Sequence, residues 1–184
     1  MLSLLSVGLA SVLALADPAA PAITPPPSSV PVLPAHHLLL NAADRRVRVT
    51  DARLQSMLAE GLNRSKTFAS LVTSLNRTDV IVYIESVMVL PKGTMGRLAM
   101  MPRAGDFRYL RIQIRSDLSR RESISLIGHE LQHALEIADA QEVRDSGSLI
   151  RLYERIGHES TGEHAYDTEA AQDMGRIVSR ELRG

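Results

Sequence analysis

Two kinds of periodicity mark the second half of the chain. From Phe107 to Arg115 apolar and polar residues alternate strictly. Phe107, Tyr109, Arg111, Gln113 and Arg115 share one face, and Arg108, Leu110, Ile112 and Ile114 the other. A period of two with one wet side predicts a half-buried strand. A few residues on, Ile124, Ile127, Leu131, Ala134, Leu135 and Ala138 recur at helical spacing. Ser119, three residues before Glu122, forms a capping box that starts this helix at Arg120-Arg121.

The same reading places elements on both sides. Val47 to Thr50 reads as a short strand or lead-in. Thr50 or Asp51 caps a helix carrying Leu54, Met57 and Leu58 that ends near Gly61. Ser65 starts a second helix with Phe68, Leu71, Val72 and Leu75 on one face. Val80 to Ile84 is a β-branched strand that can run on towards Leu90, and Arg97 to Met101 is another, after the break at Pro91-Lys92-Gly93. An antiparallel meander, or a small mixed sheet, fits three strands joined by such turns. Residues 140–167 are polar, with a short helix around Leu149, Ile150, Tyr153 and Ile156. Asp167 or Thr168 caps a final helix whose apolar side includes Ala170, Ala171, Met174, Ile177, Val178 and Leu182. The fold class is α+β: a small sheet packed on the 120–139 helix, with helices before it and a terminal helix after it.

The N-terminal third follows other rules. Residues 1–16 are apolar and uncharged and end in Ala14-Leu15-Ala16 before Asp17. A stretch this short falls below the 17 to 25 or so residues of a membrane span. The small-x-small ending predicts a cleaved signal peptide and an exported, periplasmic or extracellular protein. Between Asp17 and Pro34 lie seven of the nine prolines, a density that favours an extended tether. The domain layout is therefore a leader at 1–16, a Pro-rich linker at 17–35 and one globular domain at 36–184.

Composition narrows the chemistry. Lys plus Arg and Asp plus Glu both number 21, so net charge is zero and nothing points to a nucleic-acid partner. There is no cysteine, which rules out disulfides and thiolate ligands and leaves histidine and carboxylate to hold any metal.

Against that background one motif stands out: Gly128-His129-Glu130-Leu131-Gln132-His133, or His-Glu-x-x-His on a helix. His129 and His133 lie one turn apart on one face and can reach a single ion, with Glu130 beside it to hold a water. A catalytic zinc takes three protein ligands, so one more is needed. Glu136, Glu142, His158, Glu163, His164 and Glu169 are the candidates. Glu136 lies seven residues past His129, about 10 Å along the axis, too far for an ion already held beside His129 and His133. Glu169 stands out because Asp173 follows one turn later, a carboxylate placed to accept the outer N–H of a ligating histidine. Candidate donors to a developing oxyanion are His158, His164, Tyr153 and Tyr166, with His158 and Tyr166 preferred.

His129-Glu130-x-x-His133 followed by Glu169-x-x-x-Asp173 resembles the gluzincin metallopeptidases, the thermolysin-like branch of the zincins. The resemblance implies a zincin-like fold and one Zn2+ ion held by His129, His133 and Glu169. It implies Glu130 as general base and Asp173 bracing His129. It also implies a protein or peptide substrate bound extended along an edge strand above the active helix, here Phe107–Arg115. The 35 residues between His133 and Glu169 (134–168) are more than the compact gluzincin arrangement has, so 140–167 must be inserted or differently folded. The metzincin pattern is not met, residue 136 being Glu and residue 139 Asp. The expected activity is zinc-dependent peptide-bond hydrolysis by an exported protease. Two other readings stand beside it: an envelope interaction domain with structural zinc, and an amide hydrolase of cell-wall material.

Overall fold

Polar caps start the helices close to where the pattern puts them. The computed structural model describes residues 45–159 and 166–184; the leader, the linker, Glu163 and His164 lie outside these. In chain order the elements are β1 (Val47–Val49), α1 (Ala52–Arg64), α2 (Lys66–Leu75), β2 (Val80–Val87), β3 (Gly96–Met100), β4 (Arg108–Arg115), α3 (Arg120–Asp139), α4 (Ser146–Ile156), β5 (His158–Glu159), β6 (Tyr166–Asp167) and α5 (Glu169–Glu181). Asp51, Ser65, Ser119, Asp145 and Thr168 each accept a backbone N–H in the first turn of α1 to α5 respectively. At Ser119 the capping box with Glu122 is complete. No helix among the described residues is long and apolar enough to cross a membrane.

The result is an α+β domain with a four-stranded sheet in the order β1-β2-β4-β3. The sheet is mixed. β1 pairs β2 in parallel and β2 pairs β4 in parallel, while β3 runs antiparallel to β4. The topology follows from the connections: α1 and α2 carry the chain back from β1 to β2, a crossover that only a parallel pair needs. The turn after β2 then sends β3 to the far edge, and β4 returns between them. Phe107–Arg115 is therefore not an edge strand, as the sequence reading has it. β4 is paired on both sides, and the edges are β1 and β3.

The alternation in β4 sorts the two faces as read. Arg108, Leu110, Ile112 and Ile114 are buried, while Tyr109, Arg111, Gln113 and Arg115 are half-exposed. The inner face continues through Ile84, Ile112 and Leu98 in one row and Val47, Val82, Leu110 and Met100 in the next. The outer face is a polar layer in which Gln113 donates to Glu85, and Tyr83 stacks beside Tyr109. α3 lies on the inner face, and α5 packs against α3. Close approach of the two helices needs Gly128, because a Cβ there would stand 3.0 Å from Val178 Cγ2. Glu181 at the end of α5 accepts hydrogen bonds from Ser65 and Thr67 at the start of α2, fastening the terminal helix.

One inner-face residue is not apolar. Arg108 has no exposed surface. Its Nε and Nη2 donate to the two Asp79 carboxylate oxygens at 2.9 and 2.6 Å. Nη1 donates to Ile137 O (2.6 Å) and Ala140 O (2.9 Å), and Nη2 to Ala138 O (2.9 Å). α3 has no basic residue in its own last turn, and a guanidinium from the sheet reaches its C-terminal carbonyls instead: Ile137 O, and Ala138 O and Ala140 O, which also accept from Gln141 Nε2 and Val143 N–H.

Replacing Arg108 by Leu should cost about 3 kcal/mol, because it leaves Ile137 O without its donor and Asp79 with only the looser contact to Arg144 at 3.6 Å. The hydrogen bonds from Arg108 hold the Asp79 carboxyl below its usual range, against the opposing effect of its partial burial. A depressed carboxylate pKa contributes stability that is complete above the unfolded value, about 3.9, and is lost as pH falls through the lower folded value. In urea unfolding, wild type should exceed Asp79→Asn by about 1.5–3 kcal/mol near neutrality. The gap should close as the pH falls below about 3. A gap that stays constant down to strong acid would contradict the assignment.

Candidate metal centre

Burial of α3 is nearly complete along the face that carries the motif. His129 is 5 % exposed and Glu130 and His133 have no exposed surface. The helix periodicity places both imidazoles on one side, and the β5–β6 hairpin delivers a third group to them. In that hairpin His158 pairs with Asp167 and Glu159 with Tyr166. Asp167, 1 % exposed, is the last residue before the Thr168 cap of α5.

The three donor atoms converge. His129 Nε2 and His133 Nε2 are 3.1 Å apart, and Asp167 Oδ1 is 3.4 Å from the first and 3.5 Å from the second. These residues form a buried His129–His133–Asp167 group that can hold a metal ion. The triangle has a definite size. A tetrahedral ion with bonds of about 2.0–2.1 Å has ligand-to-ligand edges of about 3.3–3.4 Å. The observed edges bracket that value, so the donors form one face of a tetrahedron whose fourth corner takes no protein ligand among the described residues.

Glu130 supplies the second peculiarity. Both of its carboxylate oxygens are buried without a hydrogen-bond partner among the described residues. An ionised carboxylate in such a place is costly. Burial, reinforced by the charges of Asp167 and Glu136, pushes its pKa up to about 8, against the pull of His133. Its position depends on an edge strand. Gly96 on β3 lies beneath it, and a Cβ at that residue would stand 3.0 Å from Glu130 Oε1 and 3.0 Å from Leu126 Cδ2. The sequence reading began this strand one residue later and missed Gly96, whose significance only the helix-to-sheet approach reveals.

The two histidines differ electrostatically. Burial, with the neighbouring His133, drives the His129 pKa down to about 3. His133 is equally buried, but the carboxylates of Asp167 and Glu136 outweigh that effect and raise it to about 9. Asp167 is held below its usual range, His133 and His129 overcoming the opposing effect of burial. His133 also meets the Tyr153 ring edge-on at 5.3 Å, and the Tyr153 hydroxyl donates to His133 O at 3.4 Å.

Of the residues singled out from sequence, His129, Glu130 and His133 come together as read. Glu169 does not join them: it is exposed in the first turn of α5, beyond the cap, and Asp167 two residues earlier stands at the cluster. Asp173 does not brace His129. It is half-exposed and paired with Arg176 one turn on. His158 is exposed, its Nε2 3.3 Å from Gln172 Nε2, and Gln172 in turn donates to Asp167 Oδ2 at 3.0 Å. Tyr166 is buried in a stack with Tyr153 at 6.5 Å between centroids. Neither His158 nor Tyr166 is a member of the converging group. Two contributors were missed. The sequence presents Asp167 only as a cap, and Glu136 as too distant for a ligand, although its i+3 spacing from His133 is a usable signal.

The fold and site together define an α+β domain with a mixed sheet, a buried two-histidine helix and a carboxylate brought in by a hairpin. Compared with known proteins, the chain matches no family model, no curated protein and no solved structure.

The ligand set can be separated by metal content. After dialysis against zinc, Asp167→Ala and His133→Ala should lose most bound metal, and Glu169→Ala should keep the wild-type amount, measured by atomic emission. Loss in Glu169→Ala together with retention in Asp167→Ala would reverse the assignment.

Proposed function

We propose that the domain is a zinc-dependent hydrolase of peptide bonds. The observation that carries this reading is a three-donor triangle with no fourth ligating residue among the described residues, together with the buried, unpartnered carboxyl of Glu130 next to His129 in the helix. Two histidines and a carboxylate are a zinc donor set, and a purely structural zinc is normally closed by a fourth protein ligand. Zinc bound by His129, His133 and Asp167 would polarise a carbonyl oxygen and bring the pKa of a water to about 7. The remaining work falls to the chain itself. Glu130, with two unpartnered oxygens, accepts a proton from the attacking water and returns it to the leaving amine nitrogen. Its burial favours holding that proton, and a cation nearby would favour giving it up.

The substrate in this proposal is an extended peptide. β3, an edge of the sheet and the strand beneath Glu130, offers it backbone pairing, in place of β4. Export through cleavage after Ala16 belongs to the same proposal, and the first residue of the mature protein would then be Asp17.

A second reading, a non-catalytic domain with a structural metal, is favoured by the burial of the cluster, in which no donor residue exceeds 5 % exposure. One experiment separates the two. Zinc content and cleavage of a broad peptide library are measured for wild type and Glu130→Gln. The hydrolase reading expects both proteins to bind zinc, and Glu130→Gln to lose about 10²–10⁴-fold in rate. Wild type that binds zinc and cleaves nothing the mutant does not would establish the structural reading instead.

A further inference from the structure

We infer that Glu136 is a positioning residue for His133, and that Thr168 fixes Glu136 so that one carboxylate ties the two halves of the metal centre together. This rests on the reading of His129, His133 and Asp167 as metal ligands and says what sets their affinity.

The geometry is specific at every link. Glu136 Oε2 lies 2.8 Å from His133 Nδ1, and Glu136 Oε1 accepts the Thr168 hydroxyl at 2.7 Å. Both oxygens are thus engaged, on a side chain only 11 % exposed. Thr168 has no freedom left either: its Oγ1 donates to Glu136 while accepting Ala171 N–H at 3.1 Å as the cap of α5. An ionised carboxylate only accepts, so the Nδ1 of His133 must carry a proton. A neutral ring then presents the lone pair of Nε2, the atom facing His129 Nε2 and Asp167 Oδ1. Glu136 selects the ligating tautomer and aims the ring.

The second link gives the chain its reach. Thr168 is covalently next to Asp167, so the contact that orients His133 also pins the backbone that presents the third donor. α3 supplies two ligands and the hairpin one, and among the described residues the Thr168–Glu136–His133 series is a side-chain connection that joins them without passing through the donor triangle. Outer carboxylates of this kind typically govern metal affinity by 10- to 100-fold.

The test uses the full chain, stripped of metal and titrated with zinc against a chromophoric chelator. Cobalt(II) absorption serves as a second readout and the metal-free melting temperature as a third. Glu136→Ala should weaken zinc binding about 10- to 100-fold and change the cobalt spectrum. Thr168→Val should weaken it by a smaller factor, and Thr168→Ser, which keeps the hydroxyl, should restore wild-type affinity. A merely structural contact would lower the metal-free melting temperature and leave affinity and spectrum alone. If Glu136→Ala does not fold, the isosteric Glu136→Gln is measured, with a weakening of about tenfold expected. Unchanged zinc affinity in the Glu136 variant that folds would overturn the inference. Wild type that takes up no metal would overturn the ligand reading, and this one with it. Zinc-binding wild type without peptide cleavage would sink only the hydrolase proposal.

Discussion

The guanidinium of Arg108 is the constraint on which the arrangement depends. It sits on the apolar face of the central strand β4, where a charge is expensive unless every donor finds a partner. Asp79, at the turn into β2, neutralises it, and the carbonyls of Ile137, Ala138 and Ala140 absorb its remaining donors. The same contacts therefore fix three things: the start of β2 against β4, the end of α3 against the sheet, and the exit of the chain towards α4. His129 and His133 lie within the three turns before that anchored end. A helix free to slide along the sheet would move both imidazoles relative to Asp167, which arrives from a separate hairpin.

Anchoring α3 this firmly makes it possible to bury a polar stripe. Glu130 and His133 are fully enclosed and Asp167 nearly so, a concentration of ionisable groups that would destabilise a domain if each stayed charged and alone. The groups share the burden. Against the effect of burial, the carboxylates of Asp167 and Glu136 favour a charged His133, while burial favours the neutral forms of His129 and Glu130. A divalent cation held at the triangle would offer a second solution to the same problem, taking the place of a proton on His133 Nε2, which faces His129 Nε2 at 3.1 Å and Asp167 Oδ1 at 3.5 Å. Proton and metal then compete for one place, as metal ligation by histidine generally requires.

Much of this was legible in the chain. The capping box at Ser119, the other cap residues and the helical spacings located the helices, and strict alternation in β4 sorted its two faces, including the placement of Arg108 among Leu110, Ile112 and Ile114. What that arginine does there was not legible. Its partners lie 29 residues before it, at Asp79, and about 30 after it, at the end of α3. Strand order failed for a similar reason. The turns around Pro91 and Gly105 predict reversals of direction, but not on which side of its predecessor the next strand lies. A meander and the observed β2-β4-β3 order share the same local signals. In the candidate metal centre the helical pair was secure because a four-residue spacing fixes geometry by itself. The third donor was not, since the β5–β6 pairing that presents Asp167 has no local signal in 140–167.

That Asp167 and not Glu169 faces the histidines has a physical cause. Both residues flank the Thr168 cap, and a carboxylate in the first helical turn is favoured by the helix dipole wherever it points. At Glu169 the side chain is free to face water, as it does. Asp167 is not free. Its strand pairing with His158 aims it inward, Gln172 holds Oδ2, and Oδ1 accepts its own neighbour's N–H from Thr168 at 2.7 Å while facing the histidines. A ligand presented by a paired strand is more rigidly placed than one on a helix's fraying first turn. It also makes the centre dependent on a hairpin and not only on helix packing. That dependence explains why Thr168, the residue between the two carboxylates, spends its hydroxyl on Glu136. The cap of α5, the third donor and the brace on His133 are set by three consecutive features of one short stretch, so none can shift without the others.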